Sequence, residues 1–306
     1  MKISKNSAYL LMGLAALMWA TSGTLTVLAI DEGANVMEIA VFTAVFSLLI
    51  LGPAITVLDR PSLRIHRKDV PTFAVFGVVT GTLFSIAWFS TVDLTSVTTA
   101  LVLLYAYPSI VTVASIFLLK EKMTTAKAMA LPLTFIGCVL VSHAYNLDEM
   151  RVNAVGIGLG VFTAFGAALY YLMAKGLDKE YTANTVVLYY TLMETPGLIL
   201  IAGPVAIIHT TLSTEAWFLI FLMGLLPGTI GFLASIVALK HLEASKASIV
   251  ASIEPVFGVI IAVIVIAERV DWLQTIGVAL VVSGVLLLRV AHKEDEEIAD
   301  VPPSIR

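Results

Sequence analysis

The chain has 306 residues, 59% of them hydrophobic and 13% charged, with a mean hydropathy of +0.97 and a formal charge of −4. About a quarter of the residues in a soluble globular domain are charged, so this composition excludes one and identifies a membrane protein. The mild acidity carries little meaning when much of the surface faces lipid, and no basic stripe interleaved with aromatics is present to hold nucleic acid.

Runs of roughly 18–25 mostly apolar residues, enough to cross a hydrocarbon core of about 30 Å as helix, recur along the chain. They fall at 8–30, 35–58, 70–92, 95–119, 127–145, 154–174, 185–208, 216–240, 246–267 and 271–291, which predicts ten transmembrane helices. The first run follows Lys2 and Lys5 but is too long for the apolar region of a signal peptide, so it reads as a retained first helix. Cys138, the only cysteine, lies within the fifth span and reads as a packed thiol, with no disulfide framework and no metal-ligand spacing. The tail HKEDEEIADVPPSIR, 292–306, is polar and proline-containing and reads as a disordered segment.

Lysines and arginines collect in cytoplasmic loops. With the N-terminus inside, Arg60, Arg64, Arg67 and Lys68, then Lys120, Lys122 and Lys127, then Lys175 and Lys179, then Lys240 and Lys246 all fall on the cytoplasmic side, and only Arg151 and Arg269 fall outside. Both termini are therefore expected in the cytoplasm.

The halves repeat at a spacing of 147 residues without a gap: Gly77, Gly81 and Thr82 match Gly224, Gly228 and Thr229; Pro108 matches Pro255; Glu121 matches Glu268; Gly137 matches Gly284. Five spans separate equivalent positions, and an odd number turns the second copy upside down. The expected fold is thus all-α, ten transmembrane helices in two inverted five-helix repeats, 1–145 and 146–291, an architecture of secondary transporters.

The stretch ALKHLEASKASIVASIEPVFGVIIAVIVIAER, followed by LQTIGVALVVSGVLLL, resembles the second repeat of EamA-type transporters in the drug/metabolite transporter superfamily. VDLTSVTTALVLLYAYPSIVTVASIFLLKEK and IGCVLV are the weaker first-repeat counterpart, and ALMWATSGTL is similar to that family's tryptophan-bearing first helix. The resemblance spans 8–291 and implies a central cavity for small metabolites, amino acids or drug-like compounds, often for export, in a multi-pass protein of the cell (inner) membrane. Many members carry an arginine in the second helix where this chain reads AVFTAVF, so that arginine's role does not carry over and an anionic substrate loses support. The glycine that usually precedes the glutamate closing helices four and nine is Lys120 and Ala267 here.

Within ASIEPVFGV, Pro255 lacks an N–H and kinks the helix, and a freed carbonyl in lipid must face protein or a wet cavity. Glu254 then lies beside that cavity, either as a functional carboxylate or as a helix-breaking residue that is neutral or paired with Lys246. Its counterpart in the first repeat is Tyr107, next to the second kink at Pro108. Glu194, midway along the seventh span before Pro196, has no interior partner in the sequence and, like Glu254, is a candidate proton carrier or a neutral hydrogen-bonding group.

Aromatics inside the spans suit planar or cationic ligands, although packing is their commoner role. Trp88, Tyr105 and Tyr107 rank first, and with Trp19, Ser85, Tyr170 and Glu254 they form the expected substrate-binding set. GxxxG pairs at Gly77/Gly81, Gly156/Gly160 and Gly224/Gly228 predict close helix packing. Glu121 and Glu268, beside Lys122 and Arg269, read as interfacial caps or salt-bridge partners, and His143 as a packed neutral side chain. No cofactor or metal is expected. The expected partners are a small-molecule substrate, the lipid bilayer, protons and a second copy in a homodimer. An intramembrane enzyme and a channel-like facilitator are the alternatives; no HExxH, nucleophile elbow, phosphate loop or carbonyl-filter motif is present to carry either.

Overall fold

The computed structural model describes residues 5–146, 150, 153–203, 210–267 and 269–300. In chain order the helices are α1 (Lys5–Asp31), α2 (Val36–Leu58), a composite α3 (Val70–Gly77, a π-helical turn Val78–Leu83, Phe84–Leu94), α4a (Val97–Leu104) and α4b (Tyr107–Leu118), α5 (Thr125–Val141) and α6 (Ala154–Leu177). They continue with α7 (Ala183–Ala202), a composite α8 (Thr214–Leu225, a π-helical turn Leu226–Gly231, Phe232–His241), α9a (Ala244–Ala251), α9b (Glu254–Ile266) and α10 (Trp272–Asp300). Among the described residues there is no strand. Side-chain N-caps set several of the starts. Asn35 and Glu38 form a capping box on α2, and Ser96, Thr124, Asn153, Thr182 and Ser213 each accept a backbone N–H in the first turn of the helix that follows.

Nine helices among the described residues are long and apolar enough to cross a membrane, and α5, at 17 residues, falls short of the ten expected. It stops at Val141 rather than at 145 because His143 takes the left-handed backbone conformation, φ 58°, which a helix cannot continue through. At a rise of 1.5 Å per residue α5 spans about 25 Å, so tilt of its neighbours or local thinning of the bilayer must accommodate it.

The kinks expected at Pro108 and Pro255 take the form of complete interruptions. Each proline sits in the first turn of its second segment, where its missing N–H is no loss. Two carbonyls near the break of α9 are reached from across the molecule: Tyr107 Oη donates to Ser248 O at 3.3 Å and Cys138 Sγ to Ser252 O at 3.6 Å. The buried Cys138 is thereby a packed structural thiol.

Irregularities recur at the sequence spacing of 147. α4a maps onto α9a from end to end, the first residues of α4b and α5 map onto those of α9b and α10, and the two π-helical turns differ by one residue. Contacts exchange in the same way. A Cβ at Gly77 would lie 2.5 Å from Met193 Cβ and 2.6 Å from Tyr190 O, and one at Gly224 would lie 2.6 Å from Phe46 Cβ and 3.1 Å from Thr43 O. Thr43 and Phe46 are the residues that the spacing pairs with Tyr190 and Met193. So α3 packs on α7 as α8 packs on α2, with glycine letting the backbones meet. α5 and α10 pair by a like exchange, Gly137 against Gly277 O and Gly284 against Ala130 O.

One end of the bundle carries the loops rich in Lys and Arg and is held by interlocked side chains. Ser62 bonds Asp59 and Thr182, Tyr181 donates to Asp69 at 2.5 Å, and Lys240 donates to the Tyr181 carbonyl at 2.9 Å. We call this the basic end.

Candidate functional site

Between the halves lie three adjoining chambers. The central one, of about 310 Å³, is walled by Trp19, Tyr107, Tyr170, Tyr190, Glu194 and Glu254 among others. A second, of about 220 Å³, shares Ser22, Ser85, Tyr190 and Glu194 with it. A third, of about 600 Å³, shares Trp19, Phe84, Leu104 and Glu254 and runs to Ser142, His143 and Gln274 at the end opposite the basic one. Every residue of the expected substrate set is on these walls: Trp19, Ser85, Tyr107, Tyr170 and Glu254 around the central chamber, Trp88 and Tyr105 around the outer one. Glu194 and Glu254 both face the central chamber.

The aromatic wall is ordered by its own contacts. Tyr107 stacks on Tyr171 at 5.5 Å with 8° between planes, and Tyr170 meets Tyr171 edge-on at 5.4 Å. Tyr170 is fixed further by a 2.7 Å hydrogen bond to Ser235 Oγ, and Tyr190 Oη donates to Thr80 O at 3.3 Å. Trp19 meets Phe232 edge-on at 5.7 Å. Tyr171, Tyr190, Phe84 and Phe232 were not in the expected set, although the paired tyrosines at 170–171 and 189–190 lay in view. Tyr170 and Tyr171 both line the central chamber, whereas of Tyr189 and Tyr190 only Tyr190 does, and the sequence alone does not distinguish the two cases.

The carboxylates differ in setting. Glu254 opens α9b, just past the break, and makes no hydrogen bond or ion pair with a described residue; Lys246 bonds Glu243 at 3.5 Å instead, which removes the expected pairing of Glu254 with Lys246. Glu194 sits at the π-helical turn of α3. Its carboxyl packs on Gly81, where a Cβ would come within 2.8 Å of Cδ, and its backbone O accepts Thr82 Oγ1 at 2.9 Å. The residue paired with Glu194 by the repeat is Ser47, and it occupies the equivalent niche against the π-helical turn of α8: Ser47 Oγ donates to Gly228 O at 2.8 Å and lies 3.1 Å from Thr229 Oγ1. Ser47 closes its niche with hydrogen bonds. Glu194 leaves its own side chain unbonded among the described residues.

At the basic end lies an ionic group around the buried Lys127 that the sequence reading missed. Lys127, 1% exposed, pairs with Glu121 at 3.3 Å and Glu243 at 2.7 Å and donates to Lys122 O at 3.0 Å. Glu121 in turn accepts the N–H groups of Ala244 at 2.7 Å and Ser245 at 3.3 Å, and the Ser245 hydroxyl, so a carboxylate from the first half caps α9a in the second. Glu121, expected as an interfacial cap or salt-bridge partner, is both, with Lys127 as its cation; Glu268 lies outside the described residues. Burial pushes the Glu243 carboxyl up, but Lys127 and Lys246 together outweigh it and hold the group below 4.5. At the other end the Asp271 carboxyl is also lowered, by the Tyr145 hydroxyl first and the Gln274 N–H second. His143, expected as a packed neutral side chain, stacks its ring on Tyr145 and has Nδ1 3.8 Å from Asp271.

Comparison with known proteins gives one consistent picture. The model of the EamA-like transporter family matches residues 6–143 and 154–290. An uncharacterized transporter of Archaeoglobus fulgidus is 23% identical over 87% of this chain and 91% of its own length. Uncharacterized transporters of Clostridium kluyveri (20% identical, 96% of each chain) and Bacillus subtilis (YyaM, 24% identical, 72% of this chain and 73% of its own) are similar as well. A solved structure described only as "Crystal structure of protein" superposes with a TM-score of 0.82 over 96% of this chain and 100% of its own, at 18% identity, a likeness of fold.

Proposed function

Because the chain belongs to the EamA-like transporter family, a branch of the drug/metabolite transporters, we propose that it is a secondary active transporter which presents a central small-molecule site to the two sides of the membrane in turn. The observation that carries this reading is the convergence of the intramembrane polar and aromatic residues of both halves on chambers that lie away from a sealed basic end. With the basic loops in the cytoplasm, as the distribution of Lys and Arg argues, the described state faces outward. The matched helix breaks, matched π-helical turns and exchanged glycine contacts support a two-fold relation between the repeats, and the odd number of spans between them makes it an inverted one. Returning to the other state then means opening the Glu121–Lys127–Glu243 group and closing around the outer chamber.

Trp19, Ser85, Trp88, Tyr105, Tyr107, Tyr170 and Glu254 are the substrate contacts in this reading, and Glu194 with Glu254 the proton-coupling candidates. Export or exchange is the direction that the family resemblance favours. The test is uptake into liposomes holding the purified protein, with a panel of small metabolites and an imposed pH gradient. Saturable flux that competitors block and the gradient drives is the expected result. Flux that rises linearly with concentration and ignores competitors belongs to a channel and overturns the reading.

A further inference from the structure

The geometry points to a dication as the ligand of the central chamber: an organic molecule with two ammonium or quaternary ammonium centres, one for Glu194 and one for Glu254. This deepens the transporter reading by naming a substrate class, and it stands on the charge inventory of the walls. Two carboxyls face one chamber of about 310 Å³, and among the described residues no Lys, Arg or His faces it. Neither adjoining chamber supplies a base near them; the one titratable nitrogen on any of the walls is His143, at the far end of the outer chamber and engaged with Asp271.

No described residue balances these groups. Among the described residues neither side chain makes an ion pair or hydrogen bond, whereas Glu121 at the basic end is fully engaged. Charged groups are not kept in a low-dielectric interior without compensation. The repeat sharpens the contrast, since the counterparts of Glu194 and Glu254 are the neutral Ser47 and Tyr107, both hydrogen-bonded. Seven aromatic rings complete the chamber, several held edge-on or stacked, so that ring faces and carboxylates line the same space. Ring faces attract cations and repel anions. The wall therefore selects for positive charge twice over, and a ligand with two positive centres satisfies both carboxylates at once.

The test is calorimetric titration of the purified protein in detergent with three ligands built on one benzene body: benzyltrimethylammonium, para-xylylene-bis(trimethylammonium) and phenylacetate. The dication is expected to bind at least tenfold more tightly than the monocation, with no binding of the anion. Glu194→Gln and Glu254→Gln should each bring the dication to within about threefold of the monocation, and Glu→Asp at either position should retain part of the preference. The ligand series on the unmodified protein decides the matter even where a variant folds poorly. Equal affinity for monocation and dication, binding of phenylacetate, or a dication preference that survives both Gln variants overturns the proposal. No gradient enters this measurement, so a protein that binds the dication but moves nothing in liposomes counts against the transporter reading alone.

Discussion

Glu254 was legible in the sequence because a carboxylate beside a proline inside an apolar run has few structural excuses. Glu194 was legible for the same reason, but its niche was not: that Gly81 leaves room for it follows from the π-helical turn, which no local pattern announces. Gly81→Ala would press a methyl group against the Glu194 carboxyl and should destabilise the protein by about 1–3 kcal/mol, read as a lowered Tm in detergent. At the equivalent Gly228→Ala the nearest atoms are Met223 O at 3.2 Å and Ser47 Cβ at 3.4 Å, so the change should cost clearly less. Equal effects at the two positions would contradict the difference between the niches. For function, Glu254→Gln keeps shape and hydrogen-bonding capacity while removing charge, so liposome flux should fall at least tenfold at normal expression. Glu194→Gln should abolish the response to a pH gradient. Wild-type flux and wild-type pH response in both single variants would end the proton-coupling idea.

Among the elements, Pro108 and Pro255 announced trouble in the fourth and ninth helices, yet only the structure turns a kink into a break, and at the ninth it shows Tyr107 and Cys138 reaching across to carbonyls beside the break. The ionic seal was hidden for a related reason. Lys127 reads as an ordinary loop cation until α5 and α9a are brought together around it. Removing one partner from a buried pair costs about 3–5 kcal/mol, since the other charge stays behind. Lys127→Met should accordingly destabilise the described state, read as a lowered Tm in detergent. In a Cys138→Ser background, a cysteine placed at Ala167 on the central chamber should react several-fold faster with a cytoplasmic thiol reagent once Glu121→Gln weakens the cap; unchanged labelling would mean that the seal lies elsewhere. The seal also has a pH signature. The Glu243 carboxyl is lowered in the folded protein, so its contribution is fully present above 4.5 and is lost as pH falls through the lowered value. Cytoplasmic labelling of that cysteine should therefore stay flat from neutral pH to about pH 4.5 and rise only in stronger acid, and a rise near pH 6 would contradict the lowered carboxyl.

For the whole molecule, fold class was readable early: ten apolar runs and a 147-residue register marked the helices and the matched halves before any coordinate did. The misjudged length of α5 came from His143, whose left-handed backbone is invisible to hydropathy. Topology remains the prediction on which the sidedness of everything else depends. Cysteines at 60–68 should label only from the cytoplasm and one at Glu32 only from outside; the reverse pattern would turn the described state inward-facing.

The placement of both free carboxylates in the second half has a consequence for vectoriality. In an inverted repeat each half is the other seen from across the bilayer, so the polar positions at which the halves differ carry the difference between inside and outside. Exchanging them, with Ser47→Glu and Tyr107→Glu in the first half and Glu194→Ser and Glu254→Tyr in the second, amounts on this reading to turning the machine around in its membrane without turning the protein. The ligand would then find its counter-ions first from the cytoplasm, and the kinetic asymmetry between the two faces would change sign.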